Sequence, residues 1–440
     1  MGCLLYAALF TFLGAVKYSA HRNLVDFGIF EQTISSAFGC FCNPVEGSHW
    51  AFHFSPILYL VAIALTIVRS PLTLVALQSI AGALCAPPVY GIVRARAGVS
   101  TARLAALVAL LYPPLAGLVF GDFHENNFAP AAVAWSLYAF DAGSLAVSGL
   151  FAAVVLAVKE DQAIFLACAE LGVALAYRSD PKRWRFAVGV AVVSLAIEAL
   201  FFFVIEPHVT ASPAWQPTRF YAWTVADWRA LLPRGILERA GFLVLILAPL
   251  AFVPLRTRAI VIAVAPLLEV LTSRMSTTFT LGSHYAGAWI GYLFVAFAAG
   301  IGYLDEHNRA KRTLYWALAF CVVEFAVANP LHPGLNLRPR QPRDARLDAA
   351  LAKLPPDASV ATQEEAYTHI ALENPNARLL PENPSADTEA CFVLIDRDFP
   401  DSPRLQEYGP KLASLVREGR YVLVERDGGV ELYRRNGDCR

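Results

Sequence analysis

Asp26-Phe27-Gly28, with Glu31 about one helical turn on and Arg22 one turn before, places a carboxylate just beyond an apolar first segment. A carboxylate there can act as general base on an incoming hydroxyl, ligate a hard divalent cation such as Mg2+ or Mn2+, or cap the apolar helix that follows. His49-Trp50-Ala51-Phe52-His53-Phe54-Ser55-Pro56 puts His53 at the start of a short apolar stretch, where it could bind a phosphate, ligate a metal or cap the helix. Gly121-Asp122-Phe123-His124-Glu125-Asn126-Asn127 gathers hard oxygen and imidazole donors into one turn, more densely than solvation of a turn demands. It lacks the second His of a zinc-protease helix, because Phe128 follows the two asparagines.

In Lys159-Glu160-Asp161, Lys159 could neutralise a phosphate while Asp161 holds it or a metal, or the three could form an ordinary solvated turn. Ser273-Arg274 through Ser283-His284-Tyr285 offers Arg274 and His284 to an anionic lipid head group. Glu170, Glu198, Glu269 and Glu324 lie in or near apolar stretches, where a carboxylate is costly; they read as packing or proton-bearing groups.

The elements that must position these residues are mostly membrane helices. A chain of 440 residues with 56% hydrophobic and 16% charged residues is too apolar for an ordinary soluble domain. Its mean hydropathy of +0.47 says the same. Lys+Arg and Asp+Glu balance at 36 each, so nothing points to nucleic acid. Spans are expected at 3–19, 72–93, 102–120, 127–141, 144–158, 162–177, 186–205, 241–255, 259–271, 285–304 and 313–329, about eleven helices. Segment 3–19 lacks a basic leader and reads as a first helix, not a cleaved signal.

The segment 55–68 is short and ends at Arg69-Ser70-Pro71, so it is expected to lie in the interface. The basic loops 94–103, 178–185, 256–258 and 305–312 then share one side, the cytoplasm by the positive-inside rule. The N-terminus is cytoplasmic in that arrangement, and every polar motif above, with the C-terminal tail, falls on the outer face. The loop 206–240, with Trp215, Arg219, Tyr221, Trp223 and Trp228, reads as an interfacial anchor.

Three domains follow: 1–330 in the membrane, a Pro- and Arg-rich linker at 331–356, and a small extracytoplasmic α/β domain at 357–440. In the last, 358–362 and 390–395 read as strands, 403–417 as an amphipathic helix, and 421–425 with 430–433 as a hairpin across Asp427-Gly428-Gly429. Cys3, Cys85, Cys168 and Cys321 read as small core residues. Cys40 and Cys42 are too close for an easy mutual disulfide, whereas Cys391 could pair with Cys439 if the tail lies outside the cytosol.

Asp26-Phe27-Gly28-Ile29-Phe30-Glu31-Gln32, His53-Phe54-Ser55-Pro56 with Pro71-Leu72-Thr73-Leu74 and Gln78, Asp122-Phe123-His124-Glu125 and Lys159-Glu160-Asp161 together resemble a bacterial and archaeal family of membrane proteins that carries a domain-of-unknown-function label. The resemblance covers roughly 20–330. The layout is also similar to the type C glycosyltransferase superfamily, which includes protein O-mannosyltransferases and aminoarabinose transferases. That resemblance implies polyprenyl-phosphate-linked sugars as donors and an acidic residue in the first outer loop, which Asp26 matches. The Asp-Glu or Asp-x-Asp pair usual there is absent.

The expected function is transfer of a sugar from a polyprenyl-phosphate donor to a lipid, glycan or protein acceptor at the outer face of the cell membrane. Asp26, Asp122 and Glu125 are the expected catalytic residues, and His53, Lys159, Arg274 and His284 the phosphate end. Asp26, Asp122, His124, Glu125 and Asp161 are the candidate ligands of a divalent metal. A transporter and a non-catalytic membrane protein with an outer recognition domain are the alternatives; the first is disfavoured by the lack of internal repeats, and the second predicts that Asp26 and Asp122 do not converge.

Overall fold

The computed structural model describes residues 1–210, 220–221, 224–331, 337–383, 385–399 and 402–437, without the side chains of 232–234. The chain is mostly helical and divides into two compact units. The first comprises Met1–Thr11, Trp50–Leu60 and Leu74–His332; the second comprises Phe12–His49, Val61–Thr73 and Pro333–Arg440.

In the first unit, proline marks helix starts. Pro113–Phe120, Ala129–Asp141 and Pro181–Leu200 each carry it in the first two positions, where no backbone donor is lost. Asp180 caps the last of these, accepting from the backbone N–H groups of Lys182 and Arg183 at 3.1 Å. The helix Ala86–Leu110 breaks at Gly98 (φ 77°, ψ 173°), inside the expected loop 94–103. Ile290–Glu306 is buried along most of its length.

The outside of this unit is apolar and parts of its interior are polar. Val192, Val193 and Phe203 are exposed on the stretch Pro181–Val209, whereas Ser194, Gln162 and Glu170 are buried. That inverts the arrangement of a water-soluble domain. Among the described residues three stretches are long and apolar enough to cross a membrane: Gly2–Ser19, Pro71–Leu110 and Pro181–Val209. Several other expected spans are helical but shorter, such as Ala129–Asp141 with 13 residues, Leu145–Leu156 with 12 and Asp161–Ala176 with 16. Ile57–Ile67 has 11 residues. At about 1.5 Å per residue it reaches roughly half of a hydrocarbon core, so it is too short to cross.

The second unit holds two sheets. In the first-loop region β1 (Cys42–Asn43) pairs antiparallel with β2 (Gly47–Ser48). The larger sheet comprises β3 (Val360–Thr362), β4 (Ala377–Leu379), β5 (Phe392–Asp396), β6 (Tyr421–Asp427) and β7 (Val430–Arg435), in the order β4-β3-β5-β7-β6. β3 runs parallel to β4 and β5, and β7 antiparallel to β5 and β6. Gly428 (φ 60°) turns the β6–β7 hairpin where expected. The helix Pro403–Arg417 covers one face through Leu405, Tyr408, Leu412 and Leu415.

The other face packs Leu347, Tyr367, Leu394 and Leu432 together with Ile29. Ile29 belongs to the helix Val25–Ser35, so the first loop supplies part of the core of the C-terminal domain. Gln32 on that helix donates to the Asn374 and Ala377 carbonyls at 3.1 and 3.0 Å and accepts from the Tyr367 hydroxyl at 2.5 Å. Gly28 lies so close that a Cβ there would stand 2.5 Å from the Tyr367 ring.

Two expectations are corrected here. Cys40 and Cys42 do form a disulfide, because Phe41 takes a left-handed conformation (φ 48°) that brings their Cα atoms to 5.2 Å, inside the usual range. The expected linker 331–356 contains the helix Pro342–Leu351, whose Leu347 and Ala350 are buried. The Cys391–Cys439 pairing falls on residue 439, and the aromatic anchor partly on 215, 219 and 223, all outside the described residues.

Candidate active site

Four of the polar stretches meet in the first unit. The loop before Ile57–Ile67 is fastened to the turn before Asp161–Ala176: Ile57 N–H donates to the Ala157 carbonyl at 2.8 Å, and both oxygens of Glu160 are held. His53 Nδ1 lies 2.9 Å from Glu160 Oε1, and Phe54 N–H donates to Oε2 at 2.9 Å. Next to this pair the Lys159 ammonium sits 3.8 Å from Glu125 Oε1 and 4.0 Å from Asp161 Oδ2. Glu125 is fully buried, and its other oxygen is 2.8 Å from His124 Nδ1. The His124 ring stacks on His284 with centroids 3.9 Å apart.

Local sequence makes this layer possible. A Cβ at Gly287 would lie 2.3 Å from the Asn126 carbonyl oxygen, so only glycine lets the His284–Ala288 turn rest on the 125–128 turn. Gln78 braces the same turn, donating to the Val119 carbonyl at 2.8 Å and accepting from Asn127 Nδ2 at 3.4 Å.

Charge states follow from the neighbours. Burial and Lys159 both push His53 down, but Glu160 outweighs them and holds it above its ordinary value. Burial alone would raise Glu160, yet His53 and Lys159 bring it down to about 2. Lys159 is opposed by burial and raised on balance by Asp161, Glu125 and Glu160, so it is a fixed cation. Asp161 is raised, mainly by burial, against the pull of Lys159. His124 and His284 are driven far down, chiefly by burial, and are neutral imidazoles.

Beside this layer opens a cavity of about 720 Å³. Three helices each turn one face to it: Asp161, Ile164 and Phe165; Leu195, Glu198, Ala199 and Phe202; and Ala265, Leu268, Glu269 and Thr272. Each set follows the i, i+3, i+4, i+7 spacing of a helical stripe. Phe52, His53, Lys159, Glu160 and Asp161 line the charged end, and the remaining wall, including Phe203, Phe220, Trp228 and Met275, is mainly apolar. Leu195, Phe203 and Leu268 line the cavity and are 46%, 65% and 51% exposed.

A family model described as "Predicted membrane protein (DUF2079)" matches residues 20–432. The chain belongs to the DUF2079 family of predicted membrane proteins. Among solved structures, ArnT from Cupriavidus metallidurans bound to undecaprenyl phosphate matches with a TM-score of 0.59, at 12% identity over 98% of this chain and 97% of that one. ArnT from the same organism in the apo state matches with 0.54, at 13% identity over 98% of each. At such identity the likeness is one of fold, which this chain shares with ArnT. No curated protein matches the sequence.

In this DUF2079 protein the structure brings together His53, His124, Glu125, Lys159, Asp161 and His284 from the expected site residues. Asp122 is in the same turn as His124 and Glu125 and is partly exposed. Arg274 pairs with Asp227 and lines a different cavity, with Arg239 and Phe279. Asp26 is in the first turn of Val25–Ser35, in the second unit; the N-cap is Leu24, so Asp26 does not cap that helix.

The expected metal ligands do not offer an open site here. The Lys159 ammonium, 3.8 Å from Glu125 and 4.0 Å from Asp161, already serves both carboxylates as counter-charge. Among the described residues, ligand atoms within 4.8 Å of one another, close enough to hold a metal ion, occur at His21, Asp348 and His369 in the second unit. Those side chains are already joined to protein: His21 Nε2 to Asp348 at 2.9 Å and His369 Nε2 to the Tyr18 carbonyl at 3.0 Å.

Sequence reasoning passed over Glu160, which fixes His53, and left Glu198 and Glu269 as packing or proton-bearing groups without a site. A usable signal was present for the last two. Each carboxylate sits on an apolar stripe at helical spacing, which marks a buried face and therefore a cavity or a partner.

Proposed function

We propose that the protein is a membrane glycosyltransferase that moves a sugar from a polyprenyl-phosphate donor to a lipid, glycan or protein acceptor on the extracytoplasmic face. The cavity carries this reading. Its charged end and apolar walls suit an amphiphile with an anionic head, and the accessible Leu195, Phe203 and Leu268 give a prenyl chain apolar surface to lie against. The ArnT structure that shares this fold holds undecaprenyl phosphate, a molecule of that description.

Lys159 and His53 would receive the donor phosphate and stabilise the charge that develops as it leaves. Glu160 favours the protonated form of His53, and Glu125 and Asp161 hold the Lys159 cation in place. The stacked His124 and His284 close the layer behind Lys159. Asp122 and Asp26 stand as further acidic candidates, the latter by its resemblance to the acidic residue of type C first loops. The basic loops support a cytoplasmic N-terminus, and the Cys40–Cys42 disulfide supports an oxidising compartment for the first loop.

The test is transfer of a radiolabelled sugar from a panel of polyprenyl-phosphate donors to membrane lipid or protein, comparing wild type with Lys159→Ala at matched expression. Donor-dependent labelling that the variant loses supports the reading. Labelling equal in both removes Lys159 from the mechanism, and absence of labelling across the panel moves the weight to transport.

A further inference from the structure

Four carboxylates face the cavity, and two are fully engaged. Glu160 is held at both oxygens by His53 and Phe54. Asp161 accepts from Gln162 Nε2 at 3.2 Å and pairs with Lys159. Glu198 and Glu269 differ, because in each the buried Oε2 has no hydrogen-bond partner. Such an oxygen is costly in apolar surroundings until a donor reaches it.

Glu269 is the better fixed of the two. It shares the cavity face of Val264–Thr272 with Ala265, Leu268 and Thr272, so helix geometry aims it inward. The Tyr221 hydroxyl donates to its Oε1. Tyr221 is itself anchored, since its residue bridges to Ser273 and Arg274 N–H donates to the Phe220 carbonyl at 2.9 Å. One oxygen is thus tied down, and the other is buried without a partner in the wall of the cavity that Lys159 and His53 also line.

We propose that Glu269 is the catalytic base that takes the proton of the acceptor hydroxyl, with Tyr221 as its positioning residue. This rests on the glycosyltransferase reading. As the acceptor oxygen bonds to the anomeric carbon, the bond from that carbon to the donor phosphate oxygen breaks, and its electron pair leaves on the phosphate beside Lys159 and His53. The acceptor proton passes to the Glu269 carboxylate. Products are the glycosylated acceptor, polyprenyl phosphate and a protonated Glu269, so atoms and charge balance without a further reactant. The first-loop Asp26 is the rival base.

The experiment uses the full chain in proteoliposomes with a donor and acceptor that wild type turns over. Glu269→Gln, Glu269→Asp, Tyr221→Phe and Asp26→Asn are compared for kcat, for acceptor KM and for binding of undecaprenyl phosphate. Glu269→Gln is expected to lower kcat by about 100-fold or more, with lipid-phosphate binding within about twofold of wild type as evidence of an intact fold. Glu269→Asp should recover part of that loss, and Tyr221→Phe should lower kcat while leaving KM unchanged. Wild-type kcat in Glu269→Gln, or in Glu269→Asp and Tyr221→Phe if the first variant fails to fold, overturns the assignment; loss only in Asp26→Asn gives the role to Asp26. No transfer by wild type from any donor instead overturns the glycosyltransferase reading, and this assignment with it.

Discussion

His53 and Glu160 set one another's charge, and their stability contribution has a defined pH window. His53 is raised in the folded protein, so its contribution is complete below the ordinary histidine value of about 6.5 and is lost as pH rises through the folded value. Glu160 is lowered to about 2, so its contribution holds above the ordinary carboxylate value and is lost as pH falls through about 2. In Glu160→Gln the imidazole keeps burial and Lys159, which favour its neutral form, against the smaller opposing pull of Glu125. Wild-type Tm should therefore fall as pH rises above the ordinary histidine value of about 6.5, whereas the variant, whose imidazole is pushed toward its neutral form, should lose that fall; parallel curves would disprove the coupling. Lys159→Met strands Glu125 and Asp161 without their counter-charge, at a cost of about 3–5 kcal/mol by analogy with other broken buried pairs. Thermal unfolding of the purified variant reads this directly, and an unchanged Tm would refute it. His53, Glu125, Lys159 and Asp161 were legible in the sequence because each breaks an apolar run. Glu269 was legible only as a carboxylate in an apolar stretch; its pairing was not, since Tyr221 is 48 residues away.

At the scale of elements, two glycines fix how segments approach. Gly287→Ala drives a Cβ against the Asn126 carbonyl, backbone that cannot swing aside, and must separate His284 from His124. A destabilisation of about 1–3 kcal/mol is expected, with a loss of sugar transfer larger than the loss of folded protein. Gly28→Ala meets the Tyr367 ring instead, a side chain. Its destabilisation should shrink in a Tyr367→Leu background, and a double-mutant cycle that shows simple additivity would exclude the contact. The helix Pro403–Arg417 and the hairpin of β6 and β7 were legible from periodicity and from Gly428. Pro342–Leu351 was masked by its charge. Its buried Leu347 and Ala350, with the partly buried Leu351 and Leu354, lie at helical spacing, but arginines and aspartates surround them. The Cys40–Cys42 bridge depends on a left-handed Phe41, a conformation that residue type does not announce.

At the scale of the whole molecule, chain order and structural unit do not coincide. Residues 12–49 and 61–73 belong with 333–440, and Ile29 and Gln32 complete the C-terminal core. The fragment 337–440 alone should accordingly lack a cooperative thermal transition, and a sharp transition would show that the first loop is dispensable to it. A domain boundary drawn from composition could not reveal this, because the first-loop helix carries its contacts on Ile29 and Gln32, which look unremarkable beside Asp26 and Glu31. The central claim is that the first unit's cavity takes a lipid phosphate with its head on Lys159 and His53. Equilibrium binding of undecaprenyl phosphate to the purified full-length protein tests it most directly, wild type against Lys159→Ala. Saturable binding that the variant weakens by about tenfold or more is the predicted result; no saturable binding by wild type, or equal affinity in both, would contradict it.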